Sequence, residues 1–345
     1  MNQKNKLYKD SGVDIEKGDK LVDWLKSSEE VGGVGGKVVS GIGGFSGLFA
    51  PNFTGMKKPL LVAATDGVGT KLLLGLKSGK LQGLGIDLVG MCVNDLYTIG
   101  ATPLFFLDYY ATGSLDEGQF KEVLSGIYEG LKQAKTSMLG GETAELPGLY
   151  SKGHFDLAGF VVGVVDNEKK VQPETIKPND VLIGLKSTGF HSNGYSLIRK
   201  WIGESSLEGE LRDLLLSPTK IYSGLPEIVG KFGSQVRGMA HITGGGISGN
   251  LIRILPNDVT AEVQFDRIET PTWMSQFIKD NGATFSEVEP VFNLGMGMIL
   301  AVDPVVADQV LEDCRKLDMP GSIIGSIKKG GGEPQINITG LNDGK

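Results

Sequence analysis

The chain has 345 residues, 40% of them apolar and 22% charged, with a formal net charge of −7; this is a globular composition, long enough for two domains, and it excludes a disordered chain. The acidic balance, with no stretch that gathers lysines and arginines, argues against nucleic acid as a partner, and no apolar run approaches the ~18 residues of a membrane span. Only Cys92 and Cys314 occur, in no metal-type spacing, which fits a reducing compartment without structural zinc.

The start, Met1 to Lys6, is polar and carries no signal-peptide core, so a soluble cytoplasmic protein is expected. Glycine is the outlier. Fifty-two glycines are about twice the ordinary share and follow no repeat period. Clustered glycine marks backbone that takes positive φ or approaches a ligand closely.

Residues 1–30 are polar, and Val31 to Gly47 is glycine-dense with Phe45 and Phe49 near its end. A helix cannot tolerate so much glycine. A flap closing over a ligand is the functional expectation, with a flexible surface loop as the alternative. The β-type run Pro59 to Ala63 then leads into Ala64-Thr65-Asp66-Gly67-Val68-Gly69-Thr70-Lys71. A carboxylate, a hydroxyl and a lysine in a glycine-flanked turn suit metal-bound phosphate. The spacing is not that of a Walker A loop, and Gly41 to Ser46 lacks the third glycine of a dinucleotide fingerprint.

Helical spacing at 88, 89, 92, 93 and 96 predicts a helix over Gly85 to Leu96 and puts Asn94 and Asp95 off its core-facing stripe. Thr102 to Tyr110 reads as a strand. A capping box of Ser114 and Glu117 predicts the next helix, with Phe120, Val123, Leu124, Ile127 and Leu131 on one face. Gly140 to Gly148 reads as a second acidic glycine turn, and Phe155 to Val165 as a strand. The polar, proline-containing residues 166–180 are the expected boundary, giving domains 1–170 and 171–345.

The second half opens with a strand over Val181 to Leu185. Ser187 to Ser196, containing His191-Ser192-Asn193-Gly194, precedes a helix over Leu197 to Ile202. His241-Ile242-Thr243-Gly244-Gly245-Gly246 precedes a shorter one, Leu251 to Leu255. Helix starts rich in Gly, Ser and Thr favour anions. Val259 to Phe265, Gly297 to Val302 and Ser322 to Ile327 read as strands, and Trp273 to Lys279 as a helix. Both halves are expected to be α+β.

Asp66, Asp95 and Glu142 are the candidate metal carboxylates, since Mg²⁺ takes a few carboxylates and completes its shell with phosphate oxygens and water. Asp87 and Glu145 are weaker candidates. Of the three histidines, His191 and His241 sit beside hydroxyl and glycine residues, where an imidazole binds phosphate or moves a proton. His154 has no such setting.

The stretches Asp66 to Lys71, Gly85 to Val89, Asn94-Asp95, Phe105 to Tyr110, Gly140 to Glu145, His191 to Ser196 and His241 to Gly246 together resemble the phosphoribosylformylglycinamidine cyclo-ligase family, the aminoimidazole ribonucleotide synthetases. The resemblance runs in order from Tyr8 to Asp14 through the last strands. It implies a homodimer whose N-terminal sheets pair into a barrel-like core, a C-terminal α+β domain with helices on its sheet, and ATP-dependent cyclisation of formylglycinamidine ribonucleotide in purine biosynthesis. It further implies that Asp66, Asp95 and Glu142 hold Mg²⁺, and that the nucleotide meets Gly43 to Ser46, Gly67, Thr70 and Lys71. His191, Ser192, Asn193 and Thr243, Gly244, Gly245 and Gly246 are implied to bind the ribonucleotide, with either histidine as the base. Other ATP-using enzymes of the same superfamily are the alternatives; a selenophosphate synthetase is disfavoured because no cysteine precedes Cys92. A nucleotide-binding regulator without turnover is the alternative of a different class.

Overall fold

The computed structural model describes residues 18, 20, 24, 32–41, 43–203 and 208–341. Most of the polar segment 1–30, the Tyr8 to Asp14 part of the resemblance, and Ile42 lie outside the described residues. The chain divides into two compact units: one takes residues up to Met56, Leu61–Val93 and Thr102–Val164, the other Lys57–Leu60, Asn94–Ala101 and everything from Val165.

In the first unit β1 (Gly36–Val38) and β2 (Phe49–Pro51) form an antiparallel pair. A four-stranded sheet follows, built from β3 (Pro59–Gly67), β4 (Thr102–Thr112), β5 (Ser137–Glu145) and β6 (Phe155–Asp166) in the order β3-β6-β4-β5. β4 runs parallel to β5 and antiparallel to β6. Its helices include α1 (Lys71–Ser78), α2 (Gln82–Tyr97) and α3 (Glu117–Ala134). The last turn of α2, from Asn94, belongs to the second unit.

The apolar stripe expected of α3 is buried: Phe120, Val123, Leu124, Ile127 and Leu131 are all inside. α2 and α3 cross closely, because a Cβ on Gly126 would lie 1.8 Å from the Gln82 carbonyl and one on Gly85 would lie 2.2 Å from that of Val123. Only glycine permits that approach.

Three local expectations are corrected. The cap of α3 is Asp116, whose Oδ1 accepts the Gln119 N–H at 2.9 Å; Ser114 is instead held in a turn by Thr112 Oγ1, which donates to its carbonyl at 3.1 Å. Gly140 to Glu145 is the end of strand β5 rather than a turn, because β4 offers a partner for each residue from Leu107↔Gly140 to Thr112↔Glu145, and pairing overrides the weak strand preference of glycine. Asn94 is fully buried, because the last turn of α2 meets backbone of the second unit that takes up its amide.

The second unit is a six-stranded mixed sheet of β7 (Val181–Lys186), β8 (Val236–His241), β9 (Val259–Gln264), β10 (Met296–Val302), β11 (Gly321–Lys329) and β12 (Gln335–Thr339), in the order β12-β9-β11-β7-β10-β8. All pairs are antiparallel except β12 with β9. Every residue of β8 and β10 is buried; each large apolar side chain so placed contributes roughly 1.5–3 kcal/mol over exposure. The helices are α4 (Tyr195–Ile202), α5 (Gly209–Leu215), α6 (Leu225–Phe232), α7 (Gly246–Leu251), α8 (Thr272–Asp280), α9 (Phe285–Val288) and α10 (Ala307–Lys316). Arg237 ties the sheet together, pairing with Asp180 at 2.8 Å and Asp303 at 2.6 Å. Both units are α+β, as expected. Among the described residues no helix is long and apolar enough to cross a membrane.

Candidate active site

In the first unit β3 delivers Asp66 and Gly67, and the chain turns through Val68 to Thr70 before α1 begins at Lys71. Gly69 makes the turn at φ +66, a conformation that costs glycine little. Asp66 Oδ1 accepts the N–H of Gly67 at 2.8 Å. Lys71 is buried completely, with Nζ 2.7 Å from Asp87 Oδ2 and 2.9 Å from Oδ1, and Asp87 is as deeply buried. Burial holds the Lys71 ammonium below its ordinary pKa against the opposing pull of Asp87. The lysine therefore closes the turn onto α2, whose residues up to Val93 lie in the same unit.

Strand pairing sets Asp108 opposite Gly141 and Tyr109 opposite Glu142. A Cβ at position 141 would lie 1.9 Å from Asp108 Oδ1, so glycine there makes room for the carboxyl. Burial pushes Asp108 up to about 7, opposed by its own backbone N–H and reinforced by the negative Glu142. Glu142 is exposed. Glu145 Oε1 accepts the Leu115 N–H at 2.7 Å and secures the turn before α3.

The later part of the glycine-dense segment lies between β1 and β2. Phe49 packs on Phe105 with ring centroids 5.2 Å apart, whereas Phe45, in the Gly43 to Ser46 tip, is fully exposed. Ser40 Oγ accepts the Leu48 N–H at 2.8 Å and closes the base of the loop.

In the second unit the two histidine turns are brought together. His191 is buried at φ +57, and its Nε2 accepts N–H groups from Thr188 and Lys220, each at 3.4 Å. Ser192 Oγ meets Thr219 Oγ1 at 3.3 Å. Gly194 caps α4. His241 ends β8 and is also buried, with Nδ1 2.8 Å from Asp95 Oδ1. A carboxylate only accepts, so Nδ1 carries the proton and Nε2 of the neutral ring is an acceptor. The turns approach one another around the start of β10: a Cβ on Gly244 would lie 3.6 Å from Asn193 Oδ1, and one on Gly297 would lie 2.5 Å from His191 Cε1. Ile242 donates its N–H to the Gly297 carbonyl at 2.9 Å.

Two residues that the sequence did not single out shape the Thr243 to Gly246 turn. Asn250 Nδ2 donates to the carbonyls of Thr243, Gly244 and Gly246 at 3.2, 3.2 and 2.8 Å. Glu289, buried, accepts Ser248 N–H at 2.8 Å and Ser248 Oγ at 2.7 Å. The first turn of α7 is thus already met by a carboxylate of the protein itself, and the expected anion site there is limited to the turn's remaining groups.

His241 Nε2 and Asn193 Nδ2 are among the buried polar atoms that have no hydrogen-bond partner among the described residues. A buried acceptor and donor left open cost free energy that a bound polar ligand recovers. For a metal the donor set is sparser: among the described residues no three His, Cys, Asp or Glu side chains gather to hold an ion. Asp66 and Glu142 lie in the first unit and Asp95 in the second. Single carboxylates fit Mg²⁺ carried in with phosphate oxygens and water, and do not fit a closed protein cage.

Residues 54–165 match the family described as AIR synthase related protein, N-terminal domain, and residues 177–336 its C-terminal domain. A phosphoribosylformylglycinamidine cyclo-ligase from Nitratidesulfovibrio vulgaris is 44% identical over 94% of this chain and 95% of its own. One from Lawsonia intracellularis is 42% identical over 97% and 99%. Among solved structures, thiamine-monophosphate kinase from Stenotrophomonas maltophilia aligns over 88% of this chain and 91% of its own, with a TM-score of 0.67 at 17% identity, a likeness of fold alone. With both domains matched and such identity over nearly the full length, the chain belongs to the phosphoribosylformylglycinamidine cyclo-ligase family of AIR synthase related proteins.

Proposed function

We propose that the protein catalyses the ATP-dependent cyclisation of formylglycinamidine ribonucleotide to 5-aminoimidazole ribonucleotide, releasing ADP and phosphate, as a step of de novo purine biosynthesis in the cytoplasm. The observation that carries this is the full-length similarity to proteins named for that ligase activity. The open polar atoms of His241 and Asn193 support it, since they suit a substrate that both donates and accepts protons.

The formamide oxygen is a poor leaving group. Transfer of the ATP γ-phosphoryl to it gives an imidate phosphate; the amidine nitrogen attacks that carbon, the C–O bond breaks, phosphate leaves, and one proton is lost as the ring aromatises. Such transfer asks the protein for alignment and charge neutralisation. Domain 1–170 carries the nucleotide and metal groups: Gly43, Gly44, Phe45, Ser46, Asp66, Gly67, Thr70, Lys71 and Glu142, joined by Asp95. Asp66, Asp95 and Glu142 would hold Mg²⁺, which would supply positive charge against the phosphate oxygens. Lys71, given its burial against Asp87, acts by holding the turn.

Domain 171–345 binds the ribonucleotide through His191, Ser192, Asn193 and Thr243 to Gly246. Of the two catalytic histidines, His241 offers Nε2 as the proton acceptor, with Asp95 orienting the ring. His191 has Nε2 engaged by two N–H groups, so it serves the substrate as a donor. The working form is a homodimer in which the four-stranded sheets pair. One face of that sheet supports this reading, with Phe105, Leu107, Tyr109, Ala158, Phe160 and Val162 all incompletely covered.

The test is turnover. Purified protein with ATP, Mg²⁺ and formylglycinamidine ribonucleotide is expected to give ADP, phosphate and aminoimidazole ribonucleotide in equal amounts, with ¹⁸O from the formyl group recovered in phosphate. ADP release that ignores the ribonucleotide overturns the proposal, and ¹⁸O recovered only in water overturns the phosphoryl step.

A further inference from the structure

Asn94 sits in the last turn of α2 and is fully buried. Its Nδ2 donates to the Lys220 carbonyl at 2.8 Å and its Oδ1 accepts the Tyr222 N–H at 3.0 Å. The opposite amide orientation would set donor against donor and acceptor against acceptor, so the orientation is fixed by its partners. Residues 217–222 have no regular secondary structure. The Asn94 amide therefore takes the place of a neighbouring strand for residues 220 and 222.

What this segment touches gives the clamp its meaning. Thr219 meets Ser192, and the Lys220 N–H points at His191 Nε2. Tyr222 donates its hydroxyl to the Lys186 carbonyl at 2.9 Å and places its ring 6.5 Å from the His191 ring. Gly297 leaves the space for both, since a Cβ there would lie 2.0 Å from the Tyr222 hydroxyl. With the Thr188 and Lys220 N–H groups both on Nε2, the neutral His191 ring must carry its proton on Nδ1.

We propose that Asn94 is a positioning residue for His191: by clamping residues 220–222 it directs the Lys220 N–H to Nε2 and so fixes the imidazole as the Nδ1–H tautomer, a donor to the ribonucleotide. Its neighbour Asp95 orients His241 directly, so consecutive residues of one helix turn set both imidazoles. The assignment of His191 to the ribonucleotide rests on the function proposed above; the tautomer does not.

The experiment is ¹H–¹⁵N imidazole spectroscopy, uncrowded because the chain has three histidines, on wild type and Asn94→Leu, together with KM for each substrate. Wild type is expected to show His191 protonated on Nδ1. In Asn94→Leu that signature gives way to a tautomer mixture while His241 keeps its own, and KM for the ribonucleotide rises roughly tenfold with KM for ATP little changed, as expected for a loosened donor worth about 1.4 kcal/mol. A wild-type His191 protonated on Nε2 overturns the proposal whether or not the variant folds. So does an Asn94→Leu spectrum in which His191 is unchanged, or an equal rise in both KM values. If wild type does not turn the ribonucleotide over, the functional reading fails while the spectra still decide the Asn94 relationship.

Discussion

His241 donates its Nδ1–H to Asp95 Oδ1 across 2.8 Å, and its Nε2 has no partner among the described residues. A carboxylate behind an imidazole fixes its tautomer and stabilises the imidazolium. Asp95→Asn keeps the shape and removes the charge. The expected result is a fall in kcat on the order of 100-fold, within the range a positioned general base supplies, in a protein with unchanged circular dichroism. The comparison variant is Asp66→Asn, which touches no histidine: it should raise the Mg²⁺ concentration needed for half-maximal rate and leave the His241 spectrum unaltered. A variant pair with the same profile would remove the distinction between Asp95, which orients His241 as well as holding the metal, and Asp66, which holds the metal alone.

Lys71 and Asp87 form a buried pair with both side chains inaccessible. Removing one partner strands a charge, so Lys71→Met should cost about 3–5 kcal/mol, measured by urea unfolding. The double variant Lys71→Met/Asp87→Leu replaces the pair with apolar groups and should recover most of that loss. If Lys71 acts by holding the turn, the double variant also keeps a measurable affinity for ATP. Wild-type stability in the double variant with ATP binding abolished would instead place the lysine on the triphosphate.

The elements were legible where periodicity was strong. The face of α3 lies where the 3.6-residue repeat put it, and β4, β6, β7, β9 and β10 lie on the runs read as strands. β8 was read only as a lead into the His241 turn, and α5, α6, α10 and β12 passed unnoticed, because they carry no motif and their apolar spacing is short. The site was legible as residue types but not as contacts. His191 and His241 stood out by scarcity and setting. Asn94 was read as lying off the core, and Asn250 and Glu289 did not stand out, because a polar side chain becomes a clamp only through backbone distant in sequence, such as the Lys220 carbonyl 126 positions from Asn94. Lys71 looked like a phosphate ligand for the converse reason: the partner that buries it, Asp87, lies on another helix.

Asp108 gives the first unit a pH dependence. Burial raises its pKa from 3.8 to about 7, so both states hold the proton below the unfolded value, and between the two values the folded state keeps a proton that the unfolded chain has released. Stability from this group is therefore full at low pH, falls as pH rises from about 4 to about 7, and stays reduced above. Asp108→Asn cannot ionise. Urea unfolding at pH 5 and pH 8 should show a smaller loss between the two in the variant than in wild type, and equal losses would mean that Asp108 is already ionised in the fold.

The pairing of β4 with β6 lines up Phe105 with Val162, Leu107 with Phe160 and Tyr109 with Ala158, and these alternate with fully buried Phe106, Tyr110, Leu157 and Val161. The buried set faces the unit's own core, so the other set lies on the opposite face. Phe160 is 44% exposed there, and Leu61 on the edge strand β3 is 68% exposed. An apolar sheet face of this kind is what a permanent dimer covers, with roughly 800 Å² or more buried per partner. Phe160→Asp puts a charge in the middle of the face without disturbing the inward side chains. Wild type should sediment as a dimer at micromolar concentration and Phe160→Asp as a monomer with native circular dichroism. A wild type that sediments as a monomer would exclude the paired-sheet form, and a variant that remains dimeric would move the interface off this face.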